Sequence, residues 1–177
     1  MLALVADPGI AMADFEGKLE EVVFKNEKVG LAMKAFRAVR ISPDNAEKDP
    51  VLGGEGKTLP RILLVNPTKK DVVVLESEKI KAASLFKAMQ KVADSFYEEK
   101  IEKVVKEHLR LLNDRDKLAG EEKNLRDKEA RLAEEGEKSS KDLEDVRKEI
   151  ADLGKEMEDL AAKERDLWKL TPKDKPA

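Results

Sequence analysis

The chain has 177 residues, 41% of them charged and 4% aromatic, with a net charge of −3. That mixture is too charged for one compact globule and points to a long solvated helical part. It also gives no bulk basic balance that would favour nucleic acid or an anionic membrane. There is no cysteine, which excludes disulfides, thiolate metal sites and cysteine nucleophiles but does not fix the compartment. No apolar run approaches the ~20 residues that span a bilayer. The start, MLALVADPG, lacks the basic n-region and the apolar length of a signal peptide. The chain therefore reads as soluble. It enters an apolar strand at once, as a boundary cut into a longer protein would.

In chain order, Leu2 to Ala6 predicts a short buried strand, broken by Asp7-Pro8-Gly9. Phe15, Leu19, Val22 and Val23 share one helix face, and a shorter helical piece is expected over Glu27 to Lys34. Phe36 to Ile41 alternates apolar and polar residues as a half-buried strand does, and Ser42-Pro43-Asp44-Asn45 is turn chemistry. Ile62 to Val65 and Val72 to Leu75 are apolar runs joined by the hairpin-length loop Asn66 to Asp71. A helix starting near Ser77 carries Ile80, Leu85, Phe86, Met89, Val92, Ala93 and Phe96 inward. The two leading strands alternate with helix and should be parallel. The closing pair should be antiparallel, because so short a loop allows only a hairpin.

Gly56-Lys57-Thr58 ends as a phosphate-binding loop ends, but that motif needs a glycine at position 51, where Val51 stands. It also needs a helix N-terminus to hold phosphate, and here Leu59-Pro60 and a β-type run follow. Neither nucleotide nor any other cofactor is expected.

The order of elements, with a proline directly before the third strand, resembles the thioredoxin fold. TLPRILLVNPTKKDVVVLES is similar to that family's cis-proline loop, third strand and hairpin. LALVADPGIAMADFEGKLEEVV is similar to its central strand, active-site turn and following helix, and KAFRAVRISPDNAE to the next strand and acidic turn. The resemblance covers residues 1 to about 96 and implies an α/β fold, a mixed sheet with flanking helices. The family's usual first strand and helix would have to precede Met1. Its redox chemistry needs a thiolate at the N-terminus of the first helix; Asp7-Pro8-Gly9-Ile10-Ala11 stands there instead, so thiol–disulfide exchange is excluded. Asp7 suits an N-cap with Pro8 at the first helical position. Alternatively, the resemblance implies a surviving peptide groove, in which Leu59 offers its backbone and Gly9, Ile10 and Pro60 line the floor. It also implies a cis Leu59–Pro60 bond.

From Leu111 onward the apolar spacing becomes a heptad seam. Leu111, Leu118, Leu125 and Leu132 hold the d positions, with the polar residues His108, Arg115, Glu122 and Glu129 at a. The second stretch runs Leu143, Val146, Ile150, Leu153, Met157, Leu160 and, after Glu164, Leu167. Between them Gly136 can end a helix, and Ser139 with Asp142 can cap a new one. Folding back there sets Leu132 against Leu143, Leu125 against Ile150 and Leu118 against Met157, which describes an antiparallel helical hairpin. A single helix forming a parallel dimer satisfies the same pattern, because the register runs through the break unshifted. The polar a positions suggest a seam that a second molecule or a partner could cover.

Residues 100 to 170 hold 18 Lys/Arg and 21 Asp/Glu, a mixture that suits i,i+4 pairs rather than a phosphate-binding stripe. His108, the one histidine, makes neither a metal site nor an acid–base relay alone, and Trp168 is expected near the hairpin's base. With no Gly or Pro between residues 78 and 119, the helix from Ser77 is expected to run on into the coiled coil. The expected organisation is a thioredoxin-like domain over 1–96, a coiled-coil hairpin over 97–170 and a disordered tail over 171–177. The function this implies is a non-catalytic protein-interaction or assembly module, self-associating or binding a protein partner through the coiled coil, the degenerate groove, or both. Two alternatives are an accessory domain of a thiol oxidoreductase whose cysteines lie elsewhere, and a purely structural oligomerisation protein.

Overall fold

The computed structural model describes residues 1–5, 19, 23, 25–53, 58–69, 71–134 and 141–173. The chain divides into two compact units, Met1–Val105 with the segment from Leu170 onward, and Lys106–Lys169. The expected boundary after residue 96 falls earlier than this division. The reason is that Ile101, Val104 and Val105 are buried and make the first turn of the long helix part of unit 1.

Unit 1 is a mixed sheet with helices. Strand β1 is Leu2–Val5, helix α1 Glu27–Ala32 with a 3-10 turn over Met33–Ala35, and β2 Ala38–Ile41. Helix α2 is Pro43–Lys48, β3 Arg61–Val65 and β4 Val72–Glu76; a 3-10 turn over Ser77–Lys79 precedes α3, Ala82–Phe96. The sheet order is β2-β1-β3-β4. β1 runs parallel to β2 and antiparallel to β3, and β3 runs antiparallel to β4. The parallel β1–β2 pair and the antiparallel β3–β4 hairpin are the senses expected from the sequence; the antiparallel β1–β3 pairing joins them into one sheet.

Each element follows from its local chemistry. Asn26 caps α1, its Oδ1 accepting the Val29 N–H at 3.3 Å. The turn expected at residues 42–45 is instead the start of α2. Pro43 at the first helical position has no N–H to lose and Asp44 suits the positive end of the helix dipole, so turn residues open a helix here. Asn66 holds the β3–β4 loop: its Oδ1 accepts from the Thr68 N–H and hydroxyl, and its side-chain amide donates to Ser95 Oγ at 2.8 Å. The Leu59–Pro60 peptide bond, just ahead of β3, is cis.

β3 is buried along its whole length, so it reads as an unbroken apolar run after Arg61. Successive side chains leave opposite faces of a strand. Leu63 and Val65 therefore join Ala46 and Leu52 in one core layer, with Val39, Ile41, Val72 and Val74 packed around it. α3 packs on β3, β4 and α1, with Leu85, Ala88, Met89, Val92 and Ala93 buried at helical spacing. Ile80, Phe86 and Phe96 are only partly buried. Of the helix face expected before residue 25, Leu19 and Val23 are buried; Phe15 and Val22 lie outside the described residues.

α3 does not run on into the long helix. Tyr97 is extended, with φ −101° and ψ 154°, and the next helix, α4, begins at Ile101 and ends at Glu134. Tertiary bonds override the helical propensity of the break. Tyr97 pairs with Pro172 in an isolated bridge, the Glu98 N–H donates to the Thr171 carbonyl, and the Lys173 N–H donates to the Phe96 carbonyl. Asp94 Oδ1 then accepts the Ile101 N–H at 3.0 Å, satisfying one orphan donor of the new helix. Thr171–Lys173, expected within the disordered tail, are thus tied into unit 1; residues 174–177 lie outside the described residues.

Unit 2 holds the rest of α4 and helix α5, Lys141–Leu167. Gly136 and Ser139, expected to break and restart the helix, lie outside the described residues. The arms lie antiparallel. Glu129 near the end of α4 pairs with Arg147 near the start of α5 at 2.8 Å, and His108 far down α4 meets Trp168 just past the end of α5. The fold-back register places Glu129 opposite Val146 and His108 opposite Leu167, one residue from each observed partner. The single long helix is therefore not the arrangement found. Leu111, Leu143 and Val146 are buried, while Leu118, Leu125, Leu132, Ile150, Leu153, Met157, Leu160 and Leu167 are half-buried.

Candidate functional site

The sequence nominates two places, the turn before β3 and the seam of the hairpin. At the first, Leu59 is the large apolar side chain exposed among the described residues, at 37%, and Pro60 is half-buried behind it. The Thr58 N–H donates to Glu76 Oε1 at 3.0 Å, which fastens this turn to the end of β4. The next residue, Arg61, is buried. Gly9 and Ile10, the other expected lining residues, lie outside the described residues, as do Asp7 and Pro8. Leu59 and Pro60 thus sit on a turn held to the end of β4.

The glycine-rich stretch before Leu59 has a structural use at its described end. Asp49 Oδ1 accepts from the Val51 and Leu52 N–H groups, and the Gly53 N–H donates to the Asp49 carbonyl. A Cβ at Gly53 would press into the Glu47 carbonyl oxygen and stand 3.0 Å from that of Asp49. This glycine is demanded by a close backbone approach, not by a phosphate.

In the hairpin, the polar a positions are engaged within the chain rather than left for a second molecule. The Trp168 indole N–H donates to His108 Nδ1 at 2.8 Å, and His108 Nε2 stands 3.3 Å from Glu164 Oε1. The other oxygen of Glu164 meets the Arg115 guanidinium at 3.6 Å. Glu122 accepts twice from Arg126 on its own helix, and Glu129 takes Arg147 across the seam. His108 is 1% exposed. Because an indole nitrogen can only donate, Nδ1 is the bare nitrogen of the ring and Nε2 carries the proton toward Glu164. The imidazole is held on both sides by structural partners.

Sequence reasoning singled out His108 and Glu164 separately, as polar breaks in the seam, and missed that they meet. The signal was present: the fold-back register sets Glu164 opposite Leu111, between His108 and Arg115.

Other titrating groups mark the join in unit 1. The Thr171 N–H donates to Glu99 Oε2 at 2.8 Å and holds that carboxyl below the usual range. Burial pushes the Tyr97 phenol up, and its hydroxyl donates to the Ala35 carbonyl at 3.1 Å. On α5, the Lys155 ammonium holds the Asp152 carboxyl low, and Lys169 does the same for Asp166. Among the described residues no group of three or more His, Asp or Glu stands together as metal ligands, and no helix is long and apolar enough to cross a membrane.

Comparison of the chain with protein-family models, with curated proteins and with solved structures finds no match.

Proposed function

We propose that this chain is a non-catalytic protein-interaction or assembly module, a redox-inactive thioredoxin-like domain joined to a coiled coil. The observation that carries it is the hairpin. Its arms of 34 and 27 residues have a seam whose polar positions are paired internally, while its leucines other than Leu111 and Leu143 stay half-buried. Such arms extend ~40–50 Å at 1.5 Å per residue and offer surface rather than a reaction centre. The thioredoxin-like part of the reading is supported by the sheet order, by the sense of each strand pair and by the position of Leu59–Pro60 ahead of β3. Without cysteine such a domain performs no thiol exchange, and the exposed Leu59 is then a contact for an extended peptide.

The test places a photo-crosslinking residue at Leu59, Lys123 or Glu158 of the full chain and identifies by mass spectrometry what each captures from lysate. A common protein crosslinked at Leu59 or at the arms, or a second copy at the arms, is expected. A chain that sediments as a monomer at high concentration and crosslinks nothing at any of the three positions is no interaction module. Insulin reduction stays at background throughout.

A further inference from the structure

We propose that one face of the hairpin is a docking groove for a basic amphipathic helix of a partner protein. The proposal rests on reading the arms as protein-binding and names the chemistry of what they bind. Two hollows of about 480 and 440 Å³ lie along the arms and share Glu121 and Glu156 in their walls, so they run into one groove. Its floor is Leu118 and Leu125 of α4 with Leu153 and Leu160 of α5, all half-buried. Each pair is seven residues apart, so the floor presents a two-turn apolar repeat on each arm, which a partner helix matches with apolar residues at i, i+3 or i+4, and i+7.

The walls decide the sign of the partner. Asp114 is paired with Lys117 and Asp152 with Lys155. Glu121, Glu149, Glu156 and Asp159 line the same groove and make no ion pair among the described residues. Lys163 stands at one end; the end at Glu149 and Asp152 has no basic side chain in its wall. A second copy docking by this face would set four unpaired carboxylates against four, and like charges across an interface select against that pairing. Nucleic acid and anionic lipid meet the same repulsion. A helix with lysines or arginines flanking a leucine stripe satisfies floor and walls together. The groove spans residues 149–163 on α5, about 20 Å at 1.5 Å per residue, so four turns of a partner fill it.

The experiment titrates the full chain into two fluorescent synthetic helices of about 20 residues with the same leucine stripe, one flanked by lysine and one by glutamate. Two variants are compared, with folding checked by circular dichroism. One removes the groove charges (Glu121→Gln, Glu149→Gln, Glu156→Gln, Asp159→Asn). The other removes four carboxylates outside the groove walls (Asp116→Asn, Asp127→Asn, Glu144→Gln, Glu158→Gln). The lysine helix is expected to bind and the glutamate helix not. Affinity should fall at least tenfold in the groove variant, stay within twofold in the other, and weaken with added salt. The proposal is overturned if the lysine helix does not bind, if both variants weaken it alike, or if the groove instead mediates dimerisation of this chain. If peptide binding fails while the arms still crosslink a protein in lysate, only the groove chemistry falls. If both fail, the interaction reading of the arms falls with it.

Discussion

Trp168 and His108 lie 60 positions apart in sequence and share one hydrogen bond of 2.8 Å, indole N–H to imidazole Nδ1, with ring centroids 5.7 Å apart and steeply inclined. This bond joins α4 to the end of α5 at the end of unit 2 away from Glu134 and Lys141. Trp168→Phe keeps an aromatic ring but removes the donor and the second ring, so the buried His108 Nδ1 loses this hydrogen bond. A loss of about 1–3 kcal/mol is expected in urea unfolding. His108→Ala should cost at least as much, since it removes both the acceptor of the indole N–H and the neighbour of Glu164 Oε1. The double variant should cost less than the sum of the two, because the pair is lost only once. Strict additivity would show that the bond contributes nothing.

The same two residues show what the sequence could tell. The sheet of unit 1 was legible because its strands are apolar runs bounded by turn residues and their senses follow from connection length. The antiparallel sense of the hairpin was legible from its heptads, since the fold-back register sets Glu129 within one residue of its observed partner Arg147. The His108–Glu164 contact needed that register to be carried through to the polar positions. The break at Tyr97 was not legible. Residues 97–100 are ordinary helix formers or neutral ones, and what stops the helix is a backbone pairing with Thr171–Lys173, more than 70 positions away. Of the four residues expected to line a peptide groove, Leu59 and Pro60 are among the described residues, and Gly9 and Ile10 lie outside them.

That pairing carries a pH dependence through Glu99. Its carboxyl is held low by the Thr171 N–H, so the folded group titrates below the ~4.3 of a free glutamate. The stabilising contribution is fully present above the unfolded value and disappears as pH falls through the lowered folded one. The Thr171 amide should therefore exchange with solvent faster, relative to the Val92 amide in α3, as pH falls from the unfolded value through the lowered folded one, after correction for intrinsic exchange. In Glu99→Gln that dependence should vanish. The side chain is only partly buried, so the effect is local and global unfolding should not follow it.

Seam positions should separate by burial. Leu143 is 1% exposed, and Leu143→Ala should cost about 2–5 kcal/mol, the range for a buried leucine truncated without collapse of the site. Arg147→Ala removes the pair with Glu129, but the arginine side chain is 57% exposed, and solvent-screened pairs contribute about 0.2–1 kcal/mol. Equal losses from the two, measured by thermal unfolding, would mean that charge rather than leucine packing holds the arms together.

The glycines give a prediction of opposite sign at two sites. A Cβ at Gly53 would collide with the Glu47 carbonyl oxygen and crowd that of Asp49, and the Asp49 carbonyl also accepts the Gly53 N–H. Neither can move aside without breaking the turn that leads to β3. Gly53→Ala should therefore destabilise unit 1 by about 1–3 kcal/mol, as forced overpacking does. Gly154 sits inside α5 with nothing within 4 Å of an added Cβ. There alanine removes the backbone entropy that glycine loses on entering a helix, and Gly154→Ala should stabilise the arm by about 0.5–1 kcal/mol. Gly120, equally open within α4, should behave as Gly154 does. A Gly154→Ala variant that unfolds earlier than the parent would mean that this face of α5 is covered by something that needs the missing Cβ.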